Sequence, residues 1–257
     1  MKVDNTDTIF ITGATGILGR AFTLGFADEG ANIVFTSRGG GSADQLRKEC
    51  LAHGAKQVLC IQTDLLSDHS VPFIIEELKK SNLLPNILIN NARNADFIKP
   101  TSDGLTPRES WRNEFMLGVI LPYELTMAIA GCERSPLKSV INISSIYGIT
   151  APNLTLYDHP SRDSSANYGV TKAALIHLTK ELAVRLAPLK IRVNAISYGG
   201  VKGRADIAFQ DRYGKLCPSG KMLEVSEVFG AVKYLSSSNA AGVTGHNLVV
   251  DGGWTIW

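Results

Sequence analysis

Short apolar runs and amphipathic stretches alternate along the whole chain. The runs fall at residues 8–12, 32–36, 57–62, 87–90, 139–143, 192–196 and 247–250. Most are near-continuous in apolar residues, as strands are when both faces of a parallel sheet are covered. Helical patterns occupy the stretch up to Glu29, then 42–53, about 71–81, 106–130, the stretch opening at Tyr168, and about 226–236. Leu175, Leu178, Leu182 and Leu186 form an apolar stripe at helical spacing. Strands alternating with helices predict an α/β fold, a Rossmann-type doubly wound parallel sheet of seven strands with helices on both faces. No linker, low-complexity stretch or fixed-period repeat interrupts the pattern, so residues 1–257 read as a single domain.

In such sheets ligands bind at the carboxyl ends of the strands. The first run passes directly into Gly13-Ala14-Thr15-Gly16-Ile17-Leu18-Gly19 and then into a helix. Glycine lets the backbone turn sharply beside a pyrophosphate, and the helix N-terminus presents free N–H groups to it. The second run ends in Ser37-Arg38, where an acidic residue would hold the ribose hydroxyls of NAD. A guanidinium there suits a 2′-phosphate, so NADP(H) is expected in preference to NAD(H). Gly13, Arg38, Asp64, Asn91, Ser145 and Gly199 all fall at predicted strand ends.

Tyr168 and Lys172 lie one helical turn apart on one side of their helix. A phenol normally titrates near ~10, and an ammonium beside it favours the phenolate. A Tyr tuned in this way can give or take a proton near neutral pH. Taken alone, the pair also fits the surface of any amphipathic helix.

Composition removes other classes. The formal charge is +2 with no long run of one sign, so neither nucleic acid nor a membrane surface is an expected partner. No apolar run reaches the roughly 20 residues of a membrane span. Residues 1–7 lack the layout of a signal peptide. Cys50, Cys60, Cys132 and Cys217 are scattered and read as reduced, cytoplasmic thiols. The five His residues show no metal-ligand spacing, and no metal is expected.

Together these residues resemble the short-chain dehydrogenase/reductase family in its compact single-domain branch. The resemblance runs from Thr12-Gly13 with Gly19, through Asp64, Asn90-Asn91-Ala92, Ser145 with Gly148, Tyr168 with Lys172 and Arg192-Val193-Asn194. It ends with Thr244-Gly245 and Val250-Asp251-Gly252-Gly253. It implies that Ser145 holds the substrate oxygen, that Tyr168 is the general acid or base, and that Lys172 tunes Tyr168 and holds the nicotinamide ribose. It implies cofactor contacts from Gly13, Thr15, Gly16, Ile17, Leu18, Gly19, Ser37, Arg38, Asp64, Leu65, Asn91, Ala92, Gly199 and Val201. A homo-oligomer, tetramer or dimer, is implied as well, with the apolar C-terminus at Trp254 to Trp257 as a candidate contact.

Several positions depart from the family pattern. Gly16-Ile17 replaces a small residue and Gly, Arg93 replaces a Gly, Tyr198 replaces a Pro, and Gly203 stands where a Thr is common. Gly118 stands where the family carries an Asn that helps relay protons. In the family that Asn is thought to hold a water; Gly itself loosens a helix, and a carbonyl freed there could hold such a water instead. The segment between Ser145 and Tyr168 is unusually long and is expected to overhang the substrate site as a specificity loop. Its pattern is weakly similar to members of bacterial surface-glycan and flagellin-sugar pathways. Arg93, Tyr157, His159 and Arg204 are the expected substrate contacts. The resulting expectation is an NADP(H)-dependent oxidoreductase acting on a carbonyl or alcohol of a polar, sugar-like molecule. An impaired cofactor-binding sensor, and a sugar isomerase or epimerase without net cofactor turnover, are the alternatives.

Overall fold

Alternate residues of each central strand point to opposite layers, and both layers are apolar. The computed structural model describes residues 7–203 and 205–257. In it β1 (Thr8–Ile11), β2 (Asn32–Ser37), β3 (Val58–Gln62), β4 (Ile87–Asn90), β5 (Ser139–Ser145), β6 (Arg192–Tyr198) and β7 (Asn247–Val250) form one parallel sheet. The strand order is β3-β2-β1-β4-β5-β6-β7, so the winding reverses between β1 and β4. That reversal opens a crevice at the strand ends.

The helices are α1 (Ile17–Asp28), α2 (Gly41–Ala52), α3 (Ser70–Lys80), α4 (Arg108–Phe115), α5 (Leu121–Ala130), α6 (Pro160–Asp163), α7 (Ala166–Leu186), α8 (Ile207–Leu216) and α9 (Phe229–Ser236). Ile9, Ile11, Ile33 and Phe35 meet Phe22 and Phe26 of α1 in one layer. Phe10, Val34, Leu88 and Val140 meet Ile74, Leu125, Ile129 and Leu182 in the other. This double burial explains why the strands read as continuous apolar runs rather than alternating ones. A buried polar chain ties the layers together. Asn90 Nδ2 donates to Asn142 Oδ1 at 2.8 Å, and Asn142 Nδ2 donates to Thr179 Oγ1 on α7 at 2.9 Å.

The structure adds α6 and α8, which the sequence pattern did not predict, and corrects that pattern elsewhere. β5 and β6 run two residues further than their apolar runs, because Ser144 and Ser145 pair in register with Ser197 and Tyr198. The single helix expected over 106–130 is instead α4, a π-helical segment (Met116–Ile120) and α5. Pro122, in the first turn of α5, has no N–H to return to the Gly118 carbonyl four residues back. Across the interface, a Cβ at Gly118 would collide with Cγ2 of Thr171 on α7. The helix therefore widens where it crosses α7 closely, as loosening at Gly118 led one to expect.

Candidate active site

The glycine turn is held from behind by β4. Gly13 has φ +66°, and a Cβ there would lie 2.8 Å from the Ala92 Cα. Asn91 Nδ2 donates to the Thr12 and Gly13 carbonyls at 3.0 and 3.1 Å. Thr12 Oγ1 accepts the N–H groups of Asn91 and Ala92, both at 3.0 Å. Gly16 then caps α1, which opens at Ile17. Gly19 packs against the Gly13 carbonyl, and Leu18 turns into the core. Of the expected cofactor residues, Asn91 and Gly19 thus also shape the turn.

The crevice itself is lined by Gly13 and Thr15 of the turn, by Ser37 at the end of β2 and by Arg38 after it. Asp64 and Leu65 close one side, and Ala92 and Arg93 close the other. Thr36 also lines it, and its buried Oγ1 has no hydrogen-bond partner. Buried hydroxyls are normally paired, so this atom is ready for a polar ligand group. Asp64 Oδ1 accepts the Leu66 N–H, and Ser37 Oγ accepts the Gly39 N–H. Gly199 and Val201 lie at the far end, beyond β6. Gly199 N–H donates to the Val250 carbonyl, and Val201 packs on the core. Gly203, which has φ +140°, leaves room for Ile17 Cδ1. The glycine turn and the unpartnered hydroxyl fit a nicotinamide dinucleotide.

Close backbone approach sets the surroundings of Tyr168 and Lys172. A 3-10 turn (Ile146–Gly148) follows β5 and lies flat on the start of α7. A Cβ at Gly148 would come within 2.7 Å of the Lys172 carbonyl carbon, and one at Gly169 within 2.8 Å of the Tyr147 carbonyl oxygen. Two glycines thus let the turn that follows Ser145 lie against the first turns of α7, which carry Tyr168 and Lys172. Ser145 is 7% exposed, and its Oγ accepts the Tyr147 N–H at 3.2 Å. Lys172 is buried; its Nζ donates to the Ile143 carbonyl at 2.8 Å and stands 5.7 Å from the Tyr168 ring centre. Burial holds the Lys172 ammonium below the usual Lys value, against the pull of Tyr168 and Glu114. The Tyr147 ring meets Tyr168 edge-on at 6.4 Å.

Of the expected substrate residues, two gather here. Arg93 lies over the Tyr168 ring. Tyr157 reaches the site through Tyr147, their hydroxyls 2.8 Å apart, and burial pushes both phenols up. His159 is exposed, and its N–H caps back to Asp163 Oδ2. Arg204 lies outside the described residues. The long segment is not a free overhang. Leu156 is fully buried with Ile146, Tyr213 and Trp254, and Tyr157 packs edge-on against Phe209 of α8. Arg212 Nε donates to the Leu156 carbonyl at 2.8 Å and its guanidinium pairs with Asp158 at 3.1 Å. Tyr198 is a core residue: its hydroxyl donates to the Val228 carbonyl and its ring stacks on Phe22.

Sequence reasoning missed Glu114, which is 2% exposed and faces Lys172 and Arg93. Its place four residues before Gly118 was the available signal, since i and i+4 share a helix face. A second hollow, between Lys138, Ile191 and Arg192, lies at the opposite end of β5 and β6 and is separate from these groups.

Known proteins resemble this chain to different extents. Residues 13–255 match a family model described as enoyl-(acyl carrier protein) reductase. A post-translational flagellin modification protein A from Campylobacter coli is 36% identical over 124 residues, 48% of this chain and 48% of that protein. The NAD-dependent glycerol dehydrogenase of Listeria innocua is 26% identical, over 96% of this chain and 92% of that one. A short-chain dehydrogenase from Leptospira borgpetersenii, solved with bound NAD+, is similar at TM-score 0.84 and 28% identity, covering 99% of this chain and 96% of that one. The chain spans less than half the length of two relatives that it matches, 48% and 43%.

Proposed function

Because the chain belongs to the short-chain dehydrogenase/reductase family, we propose that it is an NADP(H)-dependent oxidoreductase acting on a carbonyl or alcohol of a polar, sugar-like substrate. The observation that carries this reading is the buried Lys172 ammonium beside the Tyr168 ring, with Arg93 of the crevice wall lying over that same ring. Gly13, Thr15, Ser37, Arg38, Asp64, Leu65 and Ala92 would hold the dinucleotide along that crevice. When bound, it supplies or accepts the hydride.

The chain's own residues do the rest. Ser145 Oγ hydrogen-bonds the reacting oxygen and stabilises charge developing there. Tyr168 gives its phenolic proton to that oxygen in reduction and takes it back in oxidation. Lys172 places a positive charge beside the phenol. Arg93 and Tyr157 border the same space and favour a polar, hydroxylated or anionic molecule. The choice of NADP(H) rests on Arg38, which is exposed in the crevice wall and makes no ion pair among the described residues. The flagellin-modification and glycerol-oxidising relatives are in keeping with a polyol or sugar substrate. We read the 257 residues as one domain that works as a homo-oligomer, with exposed Ile256 and Trp257 as a contact. The free thiols favour the cytoplasm.

The test is a panel of polar carbonyls and sugars incubated with NADPH or NADH, with products read by mass spectrometry and dinucleotide oxidation by absorbance. A reduced product formed with stoichiometric NADPH loss is expected. Tyr168→Phe should lose about 10²–10⁴ in kcat while binding the dinucleotide normally. Binding without turnover would make the protein a sensor. A product of unchanged mass without net NADPH loss would make it an isomerase or epimerase.

A further inference from the structure

Lys172 needs a source of protons, and α4, which meets α7 through Ser110 and Asn167, carries a buried acid. Glu114, on the face of α4 turned to α7, is 2% exposed, and its Oε2 has no hydrogen-bond partner. A buried carboxyl group left unpaired is costly, so such a group is retained for what it does or for what it holds. A second orphan lies across the interface: Thr171 Oγ1, next to Lys172 in sequence, is also buried without a partner. Both border the widened turn at Met116–Ile120, one from each helix. Two unpartnered polar atoms thus flank the opened turn, and buried polar atoms of this kind are commonly satisfied by water.

We infer that Glu114 is the proton reservoir behind Lys172, exchanging protons with it through water at the π-helical turn. The inference rests on the oxidoreductase reading above. In reduction the Tyr168 O–H bond breaks and its proton goes to the substrate oxygen. The Lys172 ammonium returns a proton to the phenolate, the Glu114 carboxyl group returns one to the Lys172 amine, and solvent reprotonates the carboxylate. Oxidation runs the same path backwards.

The surrounding charges fit this role. Burial raises the Glu114 carboxyl above its usual value, and Lys172 on α7 and Arg93 after β4 pull it back. Lys172 is itself faced by Tyr168. The 3-10 turn (Ala95–Ile98) packed on α4 carries only Asp96, which is exposed and paired with Lys99. The π-helical turn carries no titratable side chain, and Arg108, Glu109 and Arg112 of α4 itself are exposed.

The inference is tested on the whole protein, first without substrate. Infrared difference spectra of the parent against Glu114→Gln isolate the Glu114 carboxyl band, recorded across pH with and without NADPH. The band should persist well above the solution value of about 4.3, and its midpoint should move when NADPH binds. With a substrate in hand, Glu114→Gln should keep its NADPH affinity and KM but lower kcat, by less than the ~10²–10⁴ of Tyr168→Phe. It should also lose one limb of the kcat–pH profile and enlarge the solvent deuterium isotope effect, and Glu114→Asp should restore part of both. A carboxyl band that titrates at the ordinary value and ignores NADPH overturns the inference, as does an unchanged pH profile in Glu114→Gln. If the parent reduces nothing, the oxidoreductase reading fails alone, and the infrared titration still decides whether Glu114 holds a proton.

Discussion

The guanidinium of Arg93 lies over the ring of Tyr168, 4.9 Å from its centre. A cation over an aromatic face is attracted by the ring quadrupole, so the pair is preorganised. Arg93 is exposed in the crevice wall, with donors left for a ligand. Arg93→Ala should raise KM for a carboxylate- or phosphate-bearing substrate by about ten- to a hundredfold, the worth of one charged hydrogen bond. Neutral analogues should be affected less. Steady-state kinetics on matched charged and neutral substrates decides this, and equal effects on both would remove Arg93 from substrate binding.

Cofactor choice should follow Arg38. Arg38→Ala is expected to weaken NADPH by about ten- to a hundredfold and leave NADH nearly unchanged, since only the 2′-phosphate meets the guanidinium. Fluorescence titration with each dinucleotide is sufficient. Parental preference for NADH would show that the exposed side chain has no such role.

Gly118 and Thr171 act as a pair. A side chain at 118 meets the Thr171 methyl, so Gly118→Asn alone should destabilise by about 1–3 kcal/mol through overpacking. Thr171→Ser removes that methyl and should recover most of the loss in the double variant. Urea midpoints of the four proteins form the cycle. Additive effects would mean that the collision is relieved elsewhere.

The segment after Ser145 should be structural as well as selective. Leu156 is fully buried in the cluster with Tyr213 and Trp254. Leu156→Ala should cost about 2–5 kcal/mol. Leu154→Ala, two residues away and 50% exposed, should stay within about 0.5 kcal/mol. Chemical denaturation compares them directly.

Stability should depend on pH through Lys172. Its folded value is depressed by burial, while in the unfolded chain Lys titrates near ~10.4. Between the two values the unfolded chain binds more protons, so stability rises with pH there; below the folded value the penalty of the buried charge is complete. Lys172→Met should therefore gain on the parent at neutral pH, with the gap closing as pH approaches ~10. Thermal melts of both proteins across pH test this, and a gap independent of pH would mean that the burial is not felt.

The sequence by itself determined the seven strands, their order along the chain, the glycine turn and the Tyr168–Lys172 pair. These signals are local: strand and helix periodicity, and a spacing of four residues on one helix. It also pointed to Gly118 as a loosened turn. Tertiary structure decided what lies between distant segments. Arg93 reaches Tyr168 only because the loops after β4 and β5 open on one crevice. Glu114 becomes a buried acid only because α4 lies against α7. Leu156 reads as part of a loop until α8 covers it, and Tyr198 reads as a departure until its hydroxyl finds the Val228 carbonyl. Burial and charge at these positions are properties of packed neighbours far apart in the chain, and periodicity along one segment carries no record of them.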